Sequence, residues 1–358
     1  MQVWEQDCRL SAVYHSLVTT GGRCSSCIRR IRSAPCSRSS SAKERKTAHP
    51  LARDATTRKH EGEGRMTTAA ATKTAYKEIL FEVKDDVAWI TINRPEVRNA
   101  FREQTLDEMI HAFSSTRSDP SIACAVVTGA GDQAFSAGGD FYAMRRLNRI
   151  NGLHWNDRML GLAMTIRGLP IPVIAMVNGW CMGGGNELAL WCDLVIASED
   201  AVFGQTGARV GACPTVGATQ YLPRMVGERL AREMIFLCRT FKGQEAVDVG
   251  LINRVVPKAE LRKATEEWCE RIKSYSPQTL RATKKSLNHE SDELYASWQH
   301  GMELLAQIWG SEESLEGMDA FLEKRKPDFR KFRMRNKQIV EEYLAGLAAD
   351  QNRAPGRP

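Results

Sequence analysis

The feature that most constrains this chain is the run Asn178-Gly179-Trp180-Cys181-Met182-Gly183-Gly184-Gly185-Asn186-Glu187. An apolar, strand-like segment, Pro172 to Val177, leads into it, and a helix-like segment, Glu187 to Trp191, follows. Three consecutive glycines permit backbone angles that other residues avoid and let the backbone approach a ligand closely. A helix opening at such a turn presents free N–H groups that favour negative charge. The turn can stabilise a developing oxyanion, or it can be a tight strand-to-helix connection with no ligand. A second glycine turn before a helix, Phe135-Ser136-Ala137-Gly138-Gly139-Asp140, lies about 45 residues upstream. Together the two turns could offer two N–H groups to one oxygen.

The segments around these turns set the fold class. Ile79 to Val83 and Val87 to Asn93 read as strands joined at Asp85-Asp86, a hairpin signal. Gln104 to Ser115 has helical spacing. Ala123 to Thr128 and Ile174 to Val177 read as buried strands, with a helix from Leu160 to Ile166 between them. Asp193 to Ala197 and Ala201 to Phe203 are short strands. The remainder reads as helices, at Arg224 to Leu237, Lys258 to Ser274, Pro277 to Asn288, Glu293 to Trp309 and Glu312 to Glu323. Alternating strands and helices followed by helices alone predict an α/β sheet layer with a helical C-terminal part. The expected divisions are an α/β core over 66–275, a helical region over 276–333 and a charged tail over 334–358.

Charge is informative only once it is located. The chain carries 50 Lys/Arg and 43 Asp/Glu, a balance of +7. Residues 1–65 hold 13 of the basic and 6 of the acidic residues, so residues 66–358 balance at 37 against 37. The basic excess belongs to the N-terminal extension, and a nucleic-acid partner does not follow from it. The extension is rich in Arg and Ser without apolar periodicity and reads as disordered. One reading makes it an organelle transit peptide, placing the protein in the mitochondrial matrix. The other makes Met66 the true start of a cytoplasmic protein. The codons for Glu61 to Arg65 can be almost wholly purine, as a bacterial ribosome-binding site would be. No apolar run is long enough to cross a membrane. Of the ten Cys, four lie in the extension, and the six beyond it read as small core residues of a reducing compartment. Cys24 and Cys27 form a C-x-x-C with no second pair at zinc spacing, and no metal-ligand spacing occurs elsewhere.

Several stretches together resemble the crotonase (enoyl-CoA hydratase/isomerase) superfamily: Asn93 to Phe101, Phe135 to Asp140, Asn178 to Asp193, Phe203-Gly204-Gln205, and Glu323 to Phe329. The resemblance runs in unbroken order over about residues 76–332. It implies a spiral core of ββα units and a helical C-terminal trimerisation region. It also implies a coenzyme A thioester as ligand, coenzyme A being part of the substrate, with no permanently bound cofactor. By that resemblance the N–H groups of Ala137 and Gly184 receive the thioester oxygen. Arg98, Ala100, Gly138, Gly139, Asp140 and Lys324 lie along the coenzyme, and Glu187 is an acid–base group. The implied assembly is a homotrimer or a homohexamer of two trimers.

Hydratases of the family use two glutamates, and the second falls at Gly207. The stretches Gln205 to Gly211, Ala231 to Arg239 and Lys324 to Phe332 look more like dihydroxynaphthoyl-CoA synthases and ketocyclohexanecarboxyl-CoA hydrolases. In some of those synthases Gln-Thr-Gly helps hold a bicarbonate that serves as the missing base. This chain departs from them too, with Ala212 and Pro214 in place of a Ser and an Asp, and Ile235 in place of an aromatic. The resemblance thus implies a hydratase or lyase acting through an oxyanion-stabilised enolate, or an enzyme making or breaking C–C bonds on a cyclic acyl-CoA. A reading from a different class is a CoA-ester- or RNA-binding pseudoenzyme, since some relatives bind RNA. Tyr142, Arg145, Arg146, His154 and Trp155 fall where the family builds its acyl pocket. They could suit a cyclic or carboxylated acyl group, although a solvated helix face explains each one singly. Asp140 also reads as a helix cap. Cys213 has no adjacent His to make it a nucleophile.

Overall fold

The structure, a computed structural model, describes residues 76–353. The extension, its Cys24 and Cys27, and the alternative start at Met66 lie outside the described residues.

The strands are β1 (Ile79–Lys84), β2 (Val87–Ile92), β3 (Cys124–Gly129), β4 (Ala134–Ser136), β5 (Val173–Val177), β6 (Trp180–Met182), β7 (Leu194–Ser198), β8 (Val202–Gly204), β9 (Thr240–Lys242) and β10 (Arg254–Val256). They form a six-stranded sheet, β1-β2-β3-β5-β7-β10, and a four-stranded sheet, β4-β6-β8-β9. The β1–β2 hairpin turns at Asp85 and Asp86, both at positive φ (51° and 59°), the geometry of a type I′ turn. From β2 to β10 the large sheet is parallel. Its central strands β3 and β5 are buried at every position, as a sheet covered on both faces requires.

The helices of the first half are α1 (Glu103–Thr116), α2 (Phe141–Met144), α3 (Asn151–Arg167), α4 (Gly184–Trp191) and α5 (Gly207–Val210). After them come α6 (Ala218–Val226), α7 (Glu228–Phe236), α8 (Gly243–Asp248), α9 (Leu261–Lys273), α10 (Pro277–Asp292), α11 (Tyr295–Ile308), α12 (Glu312–Leu322) and α13 (Arg330–Arg353). Three times the chain leaves a strand of the large sheet, adds a strand to the small one and enters a helix: β3-β4-α2, β5-β6-α4 and β7-β8-α5. This is the spiral of ββα units expected from the sequence. β4 pairs in parallel with β6 (Ala134 with Trp180, Ser136 with Cys181), and β6 with β8. The turns leaving these strands are therefore neighbours.

Three expectations are corrected. Arg224 to Leu237 is not one helix. It breaks at Gly227, whose φ of 83° ends α6 and admits α7, an angle few other residues adopt cheaply. Of the small sheet the sequence marks only the strand at Ala201 to Phe203 (β8, Val202–Gly204), because strands of three residues are too short for a period to show. Residues 334–353, read as a tail, continue the helix α13.

A buried cation ties α10 to the core. The Lys284 ammonium donates to the carbonyls of Ile166 (3.1 Å) and Ile171 (3.0 Å) and pairs with Asp193 Oδ2 at 2.7 Å. Burial pulls its pKa below the usual lysine range, against the pull of Asp193. Lys284→Met would leave Asp193 and both carbonyls without this donor. Breaking one side of such a pair is expected to destabilise the fold by about 3 kcal/mol, measured as a lower urea midpoint at unchanged slope.

Candidate active site

The two glycine turns abut. A Cβ on Gly138 would stand 2.8 Å from the Met182 carbonyl and 2.9 Å from the Gly184 nitrogen. Gly183 sits at φ 53° and donates to Gly204 of β8, so α4 opens at Gly184, three residues before the expected start. Gly184 is the first residue of that helix and has no preceding turn of its own to accept its N–H.

The first turn differs from expectation in one atom that matters. The Ala137 N–H already donates to the Arg98 carbonyl at 2.9 Å, so Ala137 is not a free donor. The Gly138 N–H is engaged with Ser136 Oγ at 3.1 Å. Gly139 pairs with Phe101 in a parallel bridge in which Phe101 makes both bonds, donating to Gly138 and accepting from Asp140. The Gly139 N–H therefore has no acceptor among the described residues. Gly139 and Gly184 line the same cavity.

The loop Asn93 to Phe101 holds this turn in place. The buried Arg94 guanidinium donates to the Ala100 carbonyl (2.5 Å) and to Asp140 Oδ2 (2.8 Å). Asn99 accepts the Arg94 N–H and donates to the carbonyls of Ala130 and Ala134. Arg98 and Asn99 both sit at φ 55°. Asp140 caps α2 through the Tyr142 N–H at 2.9 Å, as expected. With Arg94 on its other oxygen, the Asp140 carboxylate is committed to structure. Ala100 is buried, whereas Arg98 is exposed, its guanidinium 5.8 Å from the Trp180 ring centre. Lys324 is exposed after α12 at φ 55° and does not line the cavity.

Glu187 lies in the first turn of α4 with 4 % of its surface exposed. Its Oε1 accepts the Val216 N–H at 2.9 Å, and the residue lines the cavity. Burial raises its pKa from 4.5 to about 8, against the lowering pull of the Ala218 and Val216 N–H groups. That rise corresponds to about 5 kcal/mol. A helix dipole is worth roughly 0.3–1 kcal/mol at an exposed site, so burial decides the proton's position.

Gly207 opens α5 in the same wall. A Cβ there would stand 2.6 Å from the Ala212 carbonyl oxygen. The Ala212 carbonyl and the Pro214 ring thus occupy the space where the side chain of a second glutamate would begin. Gln205 is buried beside it, donating weakly to Gly183 at 3.4 Å, and its Oε1 has no partner. Of the five residues expected in an acyl pocket only Trp155 lines the cavity. Tyr142, Arg145, Arg146 and His154 are exposed, and Arg145 pairs with Asp319 at 2.8 Å. Trp155 lies on the inner face of α3 and stacks on Phe101, their ring centres 6.4 Å apart.

The sequence reading does not place several lining residues in the site, among them Met144, Met159, Cys213, Leu305 and Trp309. Cys213 lines the cavity, and burial followed by the charge of Glu187 raises its thiol pKa. Leu305 and Trp309 reach in from the end of α11. Their spacing with Trp298 and Met302 marks a buried helical face, which does not distinguish core from cavity wall. Among the described residues no cluster of His, Cys, Asp or Glu could hold a metal, and no helix is long and apolar enough to cross a membrane.

Spiral ββα units that place two glycine turns and one buried carboxyl around a single cavity define an enzyme of the acyl-CoA-handling crotonase type. The family model described as enoyl-CoA hydratase/isomerase matches residues 82–332, and the chain belongs to that family. A solved enoyl-CoA hydratase from Mycobacterium avium subsp. paratuberculosis is 27% identical, with a TM-score of 0.66 over 71% of this chain and 99% of that one. An enoyl-CoA hydratase/isomerase from Xanthobacter autotrophicus is 31% identical, with a TM-score of 0.65 over 70% and 94%. An enoyl-CoA hydratase from Bacillus anthracis is 32% identical, with a TM-score of 0.59 over 70% and 98%.

Proposed function

We propose that this chain is a hydratase or lyase that acts on an unsaturated acyl-CoA through a thioester enolate, with Glu187 as its one acid–base carboxyl. The observation that carries this reading is the buried, high-pKa Glu187 carboxyl in the same cavity as the unengaged N–H of Gly139 and the helix-opening N–H of Gly184. Gly139 and Gly184 hold the thioester oxygen. Preorganised donors of this kind are worth roughly 3 kcal/mol of barrier each. In the addition, the Glu187 carboxylate takes a proton from water as the water oxygen bonds the β-carbon. The double-bond electrons move onto the thioester oxygen. The α-carbon then recovers the proton from Glu187, so the net change is gain of one water. The exposed Arg98 and Lys324 serve the anionic part of the coenzyme.

A second reading, C–C bond chemistry on a cyclic acyl-CoA, is favoured by the buried, unpartnered Oε1 of Gln205 within Gln205-Thr206-Gly207. The full chain is given linear enoyl-CoAs and cyclic ketoacyl-CoAs, with and without bicarbonate, and products are read by mass. Gain of water on a linear enoyl-CoA supports the first reading. Turnover of cyclic esters alone, or only with bicarbonate, replaces it with the second.

A homotrimer, or a homohexamer of two trimers, is proposed from α13. Val340, Tyr343, Leu344 and Leu347 share one face at helical spacing and are exposed on the single chain. Leu344→Asp is expected to lower the mass found by light scattering toward that of one chain. An unchanged mass excludes this face as the contact.

A further inference from the structure

We infer that the acyl end of the cavity is a short, closed slot, and that the Asn156–Trp309 hydrogen bond, together with Met159, sets the length of acyl chain it accepts. The inference rests on the thioester reading above and narrows its substrate class to short-chain acyl groups.

The cavity volume is about 70 Å³. About 10–15 Å³ of such volume holds one water-sized group, so it takes roughly five heavy atoms. Five of the lining side chains are large and apolar, Met144 and Trp155 against Gly139 and, beyond them, Met159, Leu305 and Trp309. All five are buried, at 3–7 % exposure, so the wall they form is backed by packed protein.

The closure is built, and it does not depend on loose side chains alone. Trp309 Nε1 donates to Asn156 Oδ1 at 3.1 Å, and Asn156 Nδ2 donates to the Met302 carbonyl at 2.8 Å. Asn156 has 1 % of its surface exposed, so both ends of its amide are satisfied inside the protein. Behind the indole lies Gly152, where a Cβ would stand 2.3 Å from the ring. The ring is thus pinned between α3 and α11 and cannot retreat to admit a longer chain. On the other side, the Met144 sulfur lies where a Cβ on Gly139 would stand, 2.2 Å away. Forcing extra methylenes into such a packed wall is costly, whereas a chain that stops short of it keeps its full apolar contact.

The test is binding, because it does not require turnover. Calorimetry on the full chain compares coenzyme A with butanoyl-, hexanoyl-, decanoyl- and hexadecanoyl-CoA. Decanoyl-CoA is expected to bind about 10–100-fold more weakly than butanoyl-CoA. Met159→Ala and Trp309→Ala are each expected to shrink that ratio about tenfold, by opening the end wall. Asn156→Ala, which frees the indole without removing it, is expected to shrink it less. Met159→Ala is the milder variant and covers the case in which Trp309→Ala does not fold. Equal binding of all four esters to the wild type, or an unchanged ratio in folded variants, overturns the inference. If neither coenzyme A nor any ester binds, the thioester reading fails and takes the chain-length inference with it. Binding of coenzyme A with no dependence on chain length defeats the inference alone.

Discussion

Glu187→Gln is expected to lower kcat/KM on the chain's acyl-CoA substrate by about 10²–10⁴-fold, the usual worth of a positioned acid–base group. Glutamine keeps an oxygen for the Val216 N–H at 2.9 Å, so the loss should fall on kcat with little change in circular dichroism. The wild-type pH profile follows from the same burial. With a pKa of about 8, only the fraction ionised at neutral pH acts as base. The rate should therefore rise with pH and level off above about 8, and the residual rate of Glu187→Gln should lack that limb.

The same carboxyl also makes a stability signature. Its folded pKa of about 8 lies above its ordinary value of 4.5, so the folded state binds the proton more tightly than the unfolded chain. Its contribution is fully present below pH 4.5 and is lost as pH rises through about 8. Relative to Glu187→Gln, the wild type is expected to lose on the order of 4–5 kcal/mol across that window. Urea unfolding of both proteins at pH 5 and pH 9 reads the difference. Parallel curves at the two pH values would mean that the carboxyl ionises freely.

The second large effect lies in the first glycine turn. Gly138 has φ 91°, and its Cβ would press on the backbone of Met182 and Gly184. Gly138→Ala therefore combines backbone strain of about 1–3 kcal/mol with overpacking of similar size. It also separates the two N–H donors, so kcat should fall by about 10²-fold or more. Gly227 is the control: its φ is 83°, yet nothing lies within 4 Å of a Cβ there. Gly227→Ala should show the strain without the wedge, costing roughly 1–2 kcal/mol and leaving kcat intact. Equal kcat losses in the two variants would remove the argument that the turns must touch.

What could be read from the sequence follows physical lines. The long buried strands, the hairpin at Asp85-Asp86 and the helices with clear periodicity are local properties, and they appear where expected. So do both glycine turns and Glu187. Only one strand of the small sheet, at Ala201 to Phe203, is legible, because these strands are three residues long and are specified by pairing with distant partners. The free donor of the first turn was misplaced at Ala137 because the acceptor that occupies its N–H, the Arg98 carbonyl, comes from a loop 39 residues earlier in the chain. The absent glutamate at Gly207 was legible, but the reason no side chain fits there lies in the path of 212–214. For Tyr142, Arg145, Arg146 and His154 the resemblance points to an acyl pocket and the residue types to a solvated face, and the structure exposes all four. Along α3 the helical turn sends Trp155 inward and His154 to solvent.

The most direct measurement is α-proton exchange on a saturated ligand. Butanoyl-CoA is incubated with the wild type and with Glu187→Gln in deuterium oxide, and the recovered ester is weighed by mass spectrometry. Enolate formation at a thioester oxygen held by Gly139 and Gly184, with Glu187 carrying the proton, gives deuterium at the α-carbon. Uptake is expected with the wild type, faster as pH rises toward about 8, and at least about 10²-fold slower with Glu187→Gln. No uptake by the wild type, or uptake undiminished in Glu187→Gln, would contradict the account.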